Sequence, residues 1–333
     1  MDWFEQLTGF AEQSPDQVRA NLIVEGESLR SVVNQQSWAI GRLTQPSLAQ
    51  LRALPSSRSG TLQVSEVVAD VQQLHTQPDN AGALFQVASQ FNLLEMVSPR
   101  VSPEHGVGGY QMDRTQGPAC AIAAGAATIY RNYFVDVGGQ VGQSKQRQLN
   151  CLVDLANALG NEEESLWYMQ NGYVMPCDEG ALEEVAQQLE EASTEEIEHL
   201  QGLLRIGVQH NAQVTVNDCQ HQVTQVFCSA LPIAYSEYEQ ELWADFAQLV
   251  LNAAYEATLA AAVQNAAQTG NNRVFLTLLG GGAFGNPEQW ILAAIRRALL
   301  LYKKSDLDVA IVSHSRANPQ VGQMLEQVRR AVD

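Results

Sequence analysis

Basic side chains are scarce in this chain. Lys and Arg number 19 against 37 Asp and Glu, a net charge of −18 over 333 residues. A surface of that sign repels phosphate backbones and anionic lipid, which argues against a nucleic-acid or membrane partner. It leaves open a local anion site built from backbone N–H groups, which needs no cation. Cysteine is sparse as well. Cys120, Cys151, Cys177, Cys219 and Cys228 are odd in number and scattered, with no CxxC pair and no zinc-type spacing to His105, His210 or His221. They read as reduced thiols, and neither a metal nor a cofactor is expected. The N-terminal MDWFEQLTGF carries acids and no long apolar run, unlike a signal peptide. PACAIAAGAATIY (118–130), taken as the longest small-residue apolar stretch, is too short to span a bilayer. The expected location is cytoplasmic.

What is present alternates between two patterns. Residues 1 to about 53 read as helical, with SPDQ (14–17) and TQPS (44–47) as helix starts. LPSSRSG (54–60) is linker-like. TLQVSEVVADVQQLH begins as a strand and continues as a helix, AGALFQVAS (81–89) is a buried strand, and TQGPACAIAAGAATIYRNYF is a helix with Pro118 in its first turn. Residues 178–203 form an acidic helical segment whose STEE (193–196) is a capping box. QVTQVFCSALPI (222–233) and LDVAIVS (307–313) are strands, and SEYE (236–239) is expected to cap a long helix through Phe246, Val250, Tyr255 and Leu259. Alternation of this kind predicts an α/β fold with a covered sheet.

VFLTLLGGGAFGNPEQWILAAIRRAL (274–299) joins a buried strand to a helix with Pro287 in its first turn, through a loop of four glycines. Such a junction can aim N–H groups and the positive end of a helix at an anion. It is not a P-loop, because no Gly-Lys-Ser/Thr follows. Gly280, Gly282 and Gly285 fit G-x-G-x-x-G, and Arg316 could meet a 2′-phosphate, so a Rossmann-type NAD(P) oxidoreductase is one reading. Tight helix–sheet packing is the plainest.

GGGAFGNP before an apolar helix also resembles the second ligand loop of macrodomains and their poly(ADP-ribose) glycohydrolase relatives. In order with FQVASQFNLLEM and TQGPACAIAAGAATIYRNYF, it particularly resembles the MavL-like branch, over about residues 61–320. The resemblance implies a macrodomain-like three-layer α/β/α sandwich with a mixed central sheet over 61–333. Residues 1–60 would be a helical N-terminal extension, and the acidic helices near 178–203 an insertion. It implies an ADP-ribosyl hydrolase acting on protein side chains, arginine-linked, with a non-catalytic ADP-ribose reader as the alternative. The partner would be ADP-ribose or an ADP-ribosylated protein, ubiquitin among them, and the acidic segment a docking surface for such a basic protein. Gly280, Gly281, Gly282, Ala283, Phe284, Gly285 and Asn286 would grip the diphosphate and its ribose. Ser89, Gln90 and Asn92 would meet the ribose nearest the scissile bond, and Gln116 and Gly117 would offer helix N-terminal amides. The NAAN-type loop and the glycohydrolases' glycine-triplet-plus-QEE signature are both missing.

Breaking a glycosidic bond to ribose calls for a carboxyl group beside the sugar. The segment 90–116 holds Glu95, Glu104 and Asp113. Glu104 and Asp113 lie in PEHGVGGYQMDRTQGPA, whose glycines permit a close approach, and Asp113 precedes a helix start. They are the first two candidates, with Glu95 the third. His105 reads as an exposed loop residue.

Overall fold

The computed structural model describes residues 1–55 and 59–332; Ser56, Ser57 and Arg58 of the linker-like stretch lie outside the described residues. Seven strands form one mixed sheet in the order Arg42–Thr44, Gly207–Gln213, Gln222–Cys228, Leu84–Ala88, Arg273–Leu276, Asp308–Ser313, Gln63–Val68. The last five are parallel to one another, while Gly207–Gln213 pairs antiparallel with both of its neighbours. Five parallel strands end on the same edge of the sheet, where α/β proteins place their ligands.

The sheet is covered on both sides, and Leu84–Ala88 shows how. Side chains alternate along a strand. Phe85 points one way, its ring stacked 3.7 Å from His75 and 4.6 Å from Phe275. Gln86 points the other way and donates to the Thr258 hydroxyl at 2.9 Å. His75 is fully buried, which pulls its pKa down to about 4 and keeps the ring neutral. Its Nδ1 lies 2.7 Å from the Val71 carbonyl and its Nε2 3.1 Å from Gln225. Val71–Thr76, Gln116–Ala123 and Gly125–Tyr133 cover this face, and Ala244–Thr269, with Glu288–Leu301 and Pro319–Val332 beside it, covers the opposite one. The architecture is the expected α/β/α sandwich around a mixed sheet.

Ala244–Thr269 is apolar on nearly every side, as a fully enclosed helix should be. By length and composition, the helical stretch Gln240–Thr269 could cross a membrane, but 89% of its most apolar window is buried inside the protein. This, rather than 118–130, is the chain's long apolar helix. The cap expected at Ser236 of SEYE is seven residues early, because a 3-10 turn over Gln240–Trp243 intervenes and Trp243 occupies the cap. The helix expected from 116 onward is broken at Ala124, where Gly125 passes under Trp3. Ser193 and Glu196 do form a reciprocal capping box.

Among the described residues of the first sixty, helix occurs in pieces: Trp3–Thr8, Pro15–Asn21 and Leu48–Arg52. Between them Leu22–Glu25, Ser28–Ser31 and Ser37–Ala39 form a small antiparallel sheet, and Arg42–Thr44 joins the large one. Gly26, at φ 63°, turns the first hairpin between Leu22–Glu25 and Ser28–Ser31. Trp3, Phe4, Leu22, Leu29 and Trp38 share one buried cluster with Leu94, Met96, Val107 and Tyr110. The extension is thereby fused to the loops that follow the central strand.

Candidate active site

A cavity of about 930 Å³ opens at the carboxyl ends of the five parallel strands. That is the upper part of the range for small-molecule sites. Its walls come from the ends of these strands and the segments after them: Asp70, Ser89 and Gln90, Ala230, most of 277–284, and most of 312–319.

The glycine loop runs over 277–287 and is anchored at its start by Tyr255 of the long helix. That buried hydroxyl donates to the Thr277 carbonyl at 2.7 Å and accepts from Leu279 N–H at 2.8 Å. Gly280, at φ 77°, brings the chain so close to Ala230 that a Cβ would lie 2.5 Å from its methyl. Asn286 closes the loop, donating to the Leu231 carbonyl at 2.8 Å while its N–H meets the Gly280 carbonyl at 3.0 Å. Between these anchors the N–H groups of Gly282, Ala283 and Phe284 meet no acceptor among the described residues. Successive free N–H groups on an exposed loop are a ready anion site. Gly280, Gly282, Ala283 and Phe284 line the cavity; Gly281, Gly285 and Asn286 do not, and shape the loop from behind. Pro287 caps the following helix instead of lying in its first turn.

Opposite lies the N-terminus of Gln116–Ala123. The backbone N–H groups of Gln116 and Gly117 also lack acceptors, and both residues line the cavity. Gly117 is obligatory, since a Cβ would sit 2.1 Å from the Ala88 carbonyl oxygen. The Gln116 side chain knits this helix to the central strand, accepting from Ala88 N–H at 2.9 Å and donating to Gln86 at 2.8 Å. Two sets of open amides therefore face one cavity, with Phe284, Tyr173 and Tyr235 forming an aromatic wall at ring separations of 5.2, 5.2 and 5.9 Å.

The three candidate acids part company. Glu104 is exposed, does not line the cavity, and accepts from Lys145 N–H at 3.2 Å, so it stands outside the site. His105 beside it caps its own turn through Ser102. Asp113 is half-buried and lines the cavity; it does not cap the helix but holds the capping residue, accepting from Thr115 N–H at 2.8 Å. Glu95 is 2% exposed, lines the cavity, and has no hydrogen-bond partner on either carboxyl oxygen. Burial pushes its pKa up to about 8, against the opposing pull of Arg131 and of the Tyr110 hydroxyl.

Of the other expected contacts, Ser89 and Gln90 line the cavity, though the Gln90 side chain is committed to both backbone groups of Met96. Asn92 does not reach it. That side chain is fully buried, donating to Gln148 and accepting from Leu94 N–H, and so shapes the loop carrying Glu95. The Rossmann reading loses its geometry: the helix starts at Glu288, beyond Gly285, whose close neighbour is Ala234 and not the sheet. Asp70, Tyr173, Tyr235 and Glu288 line the cavity without having been singled out. Asp70 had a signal, a helix cap directly after a strand; the tyrosines, on separate segments, had none.

No protein-family model and no curated protein matches this chain. Among solved structures it is similar to apo poly(ADP-ribose) glycohydrolase from Deinococcus radiodurans (TM-score 0.46, 10% identity, 88% of this chain and 93% of that one). It is also similar to the same enzyme in complex with ADP-ribose (0.45, 11%, 87% and 94%). The glycohydrolase from Thermomonospora curvata bound to the inhibitor ADP-HPD gives 0.43 and 12%, over 95% of each chain. Similarity at this level leaves the chemistry to be argued from the cavity.

Proposed function

We propose that this protein hydrolyses the glycosidic bond that joins ADP-ribose to a protein side chain. The observation that carries the reading is Glu95, a residue of the cavity lining whose buried carboxyl oxygens have no hydrogen-bond partner, beside two sets of open backbone amides. The amides suit a diphosphate, and Phe284 with Tyr173 suits the flat faces of a ribose or base. A carboxyl group held protonated near neutral pH can give its proton to a departing oxygen as the bond to ribose C1 breaks. The electron pair of that bond leaves with the oxygen, water adds to C1, and Asp113 is the carboxylate available to take the water's proton.

For the linkage we propose arginine, following the MavL-like motifs. What supports it is charge outside the cavity, whose lining carries both signs (Asp70, Asp113 and Glu288 with Arg114 and Arg316): the outer faces of Glu179–Glu191 and Thr194–Leu203 are acidic, suiting a basic substrate protein such as ubiquitin. One observation favours an oxygen linkage instead. A glycosylated guanidinium departs with a proton it already carries and a glutamate departs as a carboxylate, whereas serine or ribose oxygens use the proton Glu95 offers.

The experiment is single-turnover release of ADP-ribose from arginine-, serine-, glutamate- and ribose-linked substrates, with ADP-ribose titrated in parallel by calorimetry. Fastest release from arginine supports the proposal in full, and release only from oxygen linkages keeps the hydrolase and rejects arginine. Tight binding with no release from any of the four makes the protein a reader.

A further inference from the structure

We propose that Glu12 and Tyr110 are positioning residues for Glu95, which makes the N-terminal segment part of the reaction site although it does not line the cavity. The inference rests on Glu95 being the proton donor of the proposed reaction.

The glycines of PEHGVGGYQ do permit a close approach, and what approaches is Glu12. One oxygen of its carboxylate accepts from Val107 N–H at 3.0 Å and from the Tyr133 hydroxyl at 2.7 Å; the other accepts from Gly108 N–H at 2.7 Å. A Cβ on Gly106 would lie 2.3 Å from that carboxylate and one on Gly108 2.9 Å from it. Two adjacent N–H groups thus form an anion-binding turn that the chain fills with its own acid. Trp3 adds a second clamp, its indole N–H donating to the Val107 carbonyl at 3.1 Å and its backbone N–H to Gln111 at 3.2 Å.

From this turn the 3-10 segment Gly108–Met112 presents Tyr110 inward, where its hydroxyl accepts from the backbone N–H of Glu95 at 3.0 Å. The N–H groups on either side, of Leu94 and Met96, are held by Asn92 and Gln90, both from the same loop as Glu95. Tyr110 is the one of the three holders that comes from elsewhere. It ties the acid to the 3-10 segment, and Glu12 ties that segment to the extension. An acid must meet the leaving atom within a hydrogen bond's tolerance, and misplacement by about 1 Å can cost about 100-fold in rate.

A double-mutant cycle on the full chain separates positioning from mere support. Tyr110→Phe keeps the packed ring and removes the acceptor of Glu95 N–H; Glu12→Gln keeps an oxygen for Val107 and Tyr133 and loses the one for Gly108. Each is combined with Glu95→Gln. Single-turnover release is measured on a serine- or ribose-linked substrate, whose departing oxygen uses the Glu95 proton, and ADP-ribose affinity is titrated beside it. In the otherwise wild-type chain we expect Tyr110→Phe to slow release by roughly 10–100-fold, with ADP-ribose affinity little changed. In the Glu95→Gln background it should cost nothing more, because groups acting through one another are not additive. Glu12→Gln should follow the same pattern with a smaller loss. Should Glu12→Gln fail to fold, Tyr110→Phe decides the matter alone. Wild-type rates in a folded Tyr110→Phe chain, or losses that multiply equally in both backgrounds, overturn the positioning role and leave Glu95 standing. Full turnover by the Glu95→Gln single variant removes the donor itself, and this inference with it.

Discussion

Glu95 and Arg131 lie 3.6 Å apart in the interior, with no hydrogen bond between them. Arg131 is otherwise occupied: it donates to the Leu93 carbonyl and the Thr128 hydroxyl, and its guanidinium lies 3.8 Å over the Phe227 ring. Burial moves both partners toward their neutral forms, Glu95 up and Arg131 down from its usual value, so desolvation outweighs attraction here. Burial thus keeps the Glu95 carboxyl group protonated beside the cavity in spite of the pull of Arg131.

That protonation has a signature in stability. Between the ordinary 4.5 and about 8 the folded state holds a proton at Glu95 that the unfolded chain has lost. The group's contribution is therefore complete below pH 4.5 and is lost as pH rises toward 8, by at most about 1.4 kcal/mol per pH unit. Glu95→Gln has no proton to lose. Urea unfolding at pH 5, 6, 7 and 8 should show the wild type falling progressively relative to this variant, and a constant difference would refute the assignment.

Gly282 offers a cleaner probe of the loop than its neighbours. A Cβ there meets nothing within 4 Å, and its φ lies outside the left-handed region, whereas Gly280 and Gly285 both need positive φ. Gly282→Val should melt at the wild-type temperature and lose ADP-ribose affinity by tenfold or more, about 1.4 kcal/mol. Unchanged affinity in calorimetry would mean that the loop does not face the ligand.

Among the acids the expected order is Glu95, then Asp113, with Glu104 inert. Asp113→Asn keeps an acceptor for Thr115 N–H, so it should fold normally and release ADP-ribose more slowly, by roughly 10²–10⁴-fold if it is the base. Glu104→Gln should release at the wild-type rate. A slow Glu104 variant beside a normal Asp113 variant would reverse the picture in a single-turnover assay.

The five parallel strands were legible because they are largely apolar runs ended by turns, such as LFQVA and DVAIVS, whereas Gly207–Gln213 and Arg42–Thr44, polar and partly exposed, were not read as strands. Gly280 to Gly285 were legible for the same reason: a glycine cluster between a strand and a helix is visible without knowing the fold. The N-terminal hairpin was not, since its strands are three or four residues long and only the turn at Gly26 marks them. Glu104 and Asp113 were placed ahead of Glu95 because of the glycines around them, and of those two Asp113 lines the cavity. Glycines near Glu104 and Asp113 suggested space for a ligand, but that space belongs to Glu12, ninety-odd residues away in sequence and adjacent only after folding. What sets Glu95 apart is burial against Arg131, a property of tertiary packing that no motif carries.

Gly106 tests that packing directly. Its backbone (φ 84°, ψ −176°) lies where few residues but glycine can stand, and a methyl group there would press on the Glu12 carboxylate. Gly106→Ala should cost about 1–3 kcal/mol from the backbone alone, read as a lower urea midpoint. Wild-type stability in this variant would mean that the turn is not built around Glu12.

The central claim is that Glu95 delivers a proton to the leaving group in this cavity, and the most direct measurement is the pH dependence of single-turnover release by the wild type and by Glu95→Gln. We expect the wild-type rate on an oxygen-linked substrate to hold below about pH 8 and decline above it, as the acid ionises. Glu95→Gln should be slower by roughly 10²–10⁴-fold, lack that alkaline limb, and still bind ADP-ribose. A Glu95→Gln variant that releases ADP-ribose at the wild-type rate, with the same alkaline limb, would contradict the account.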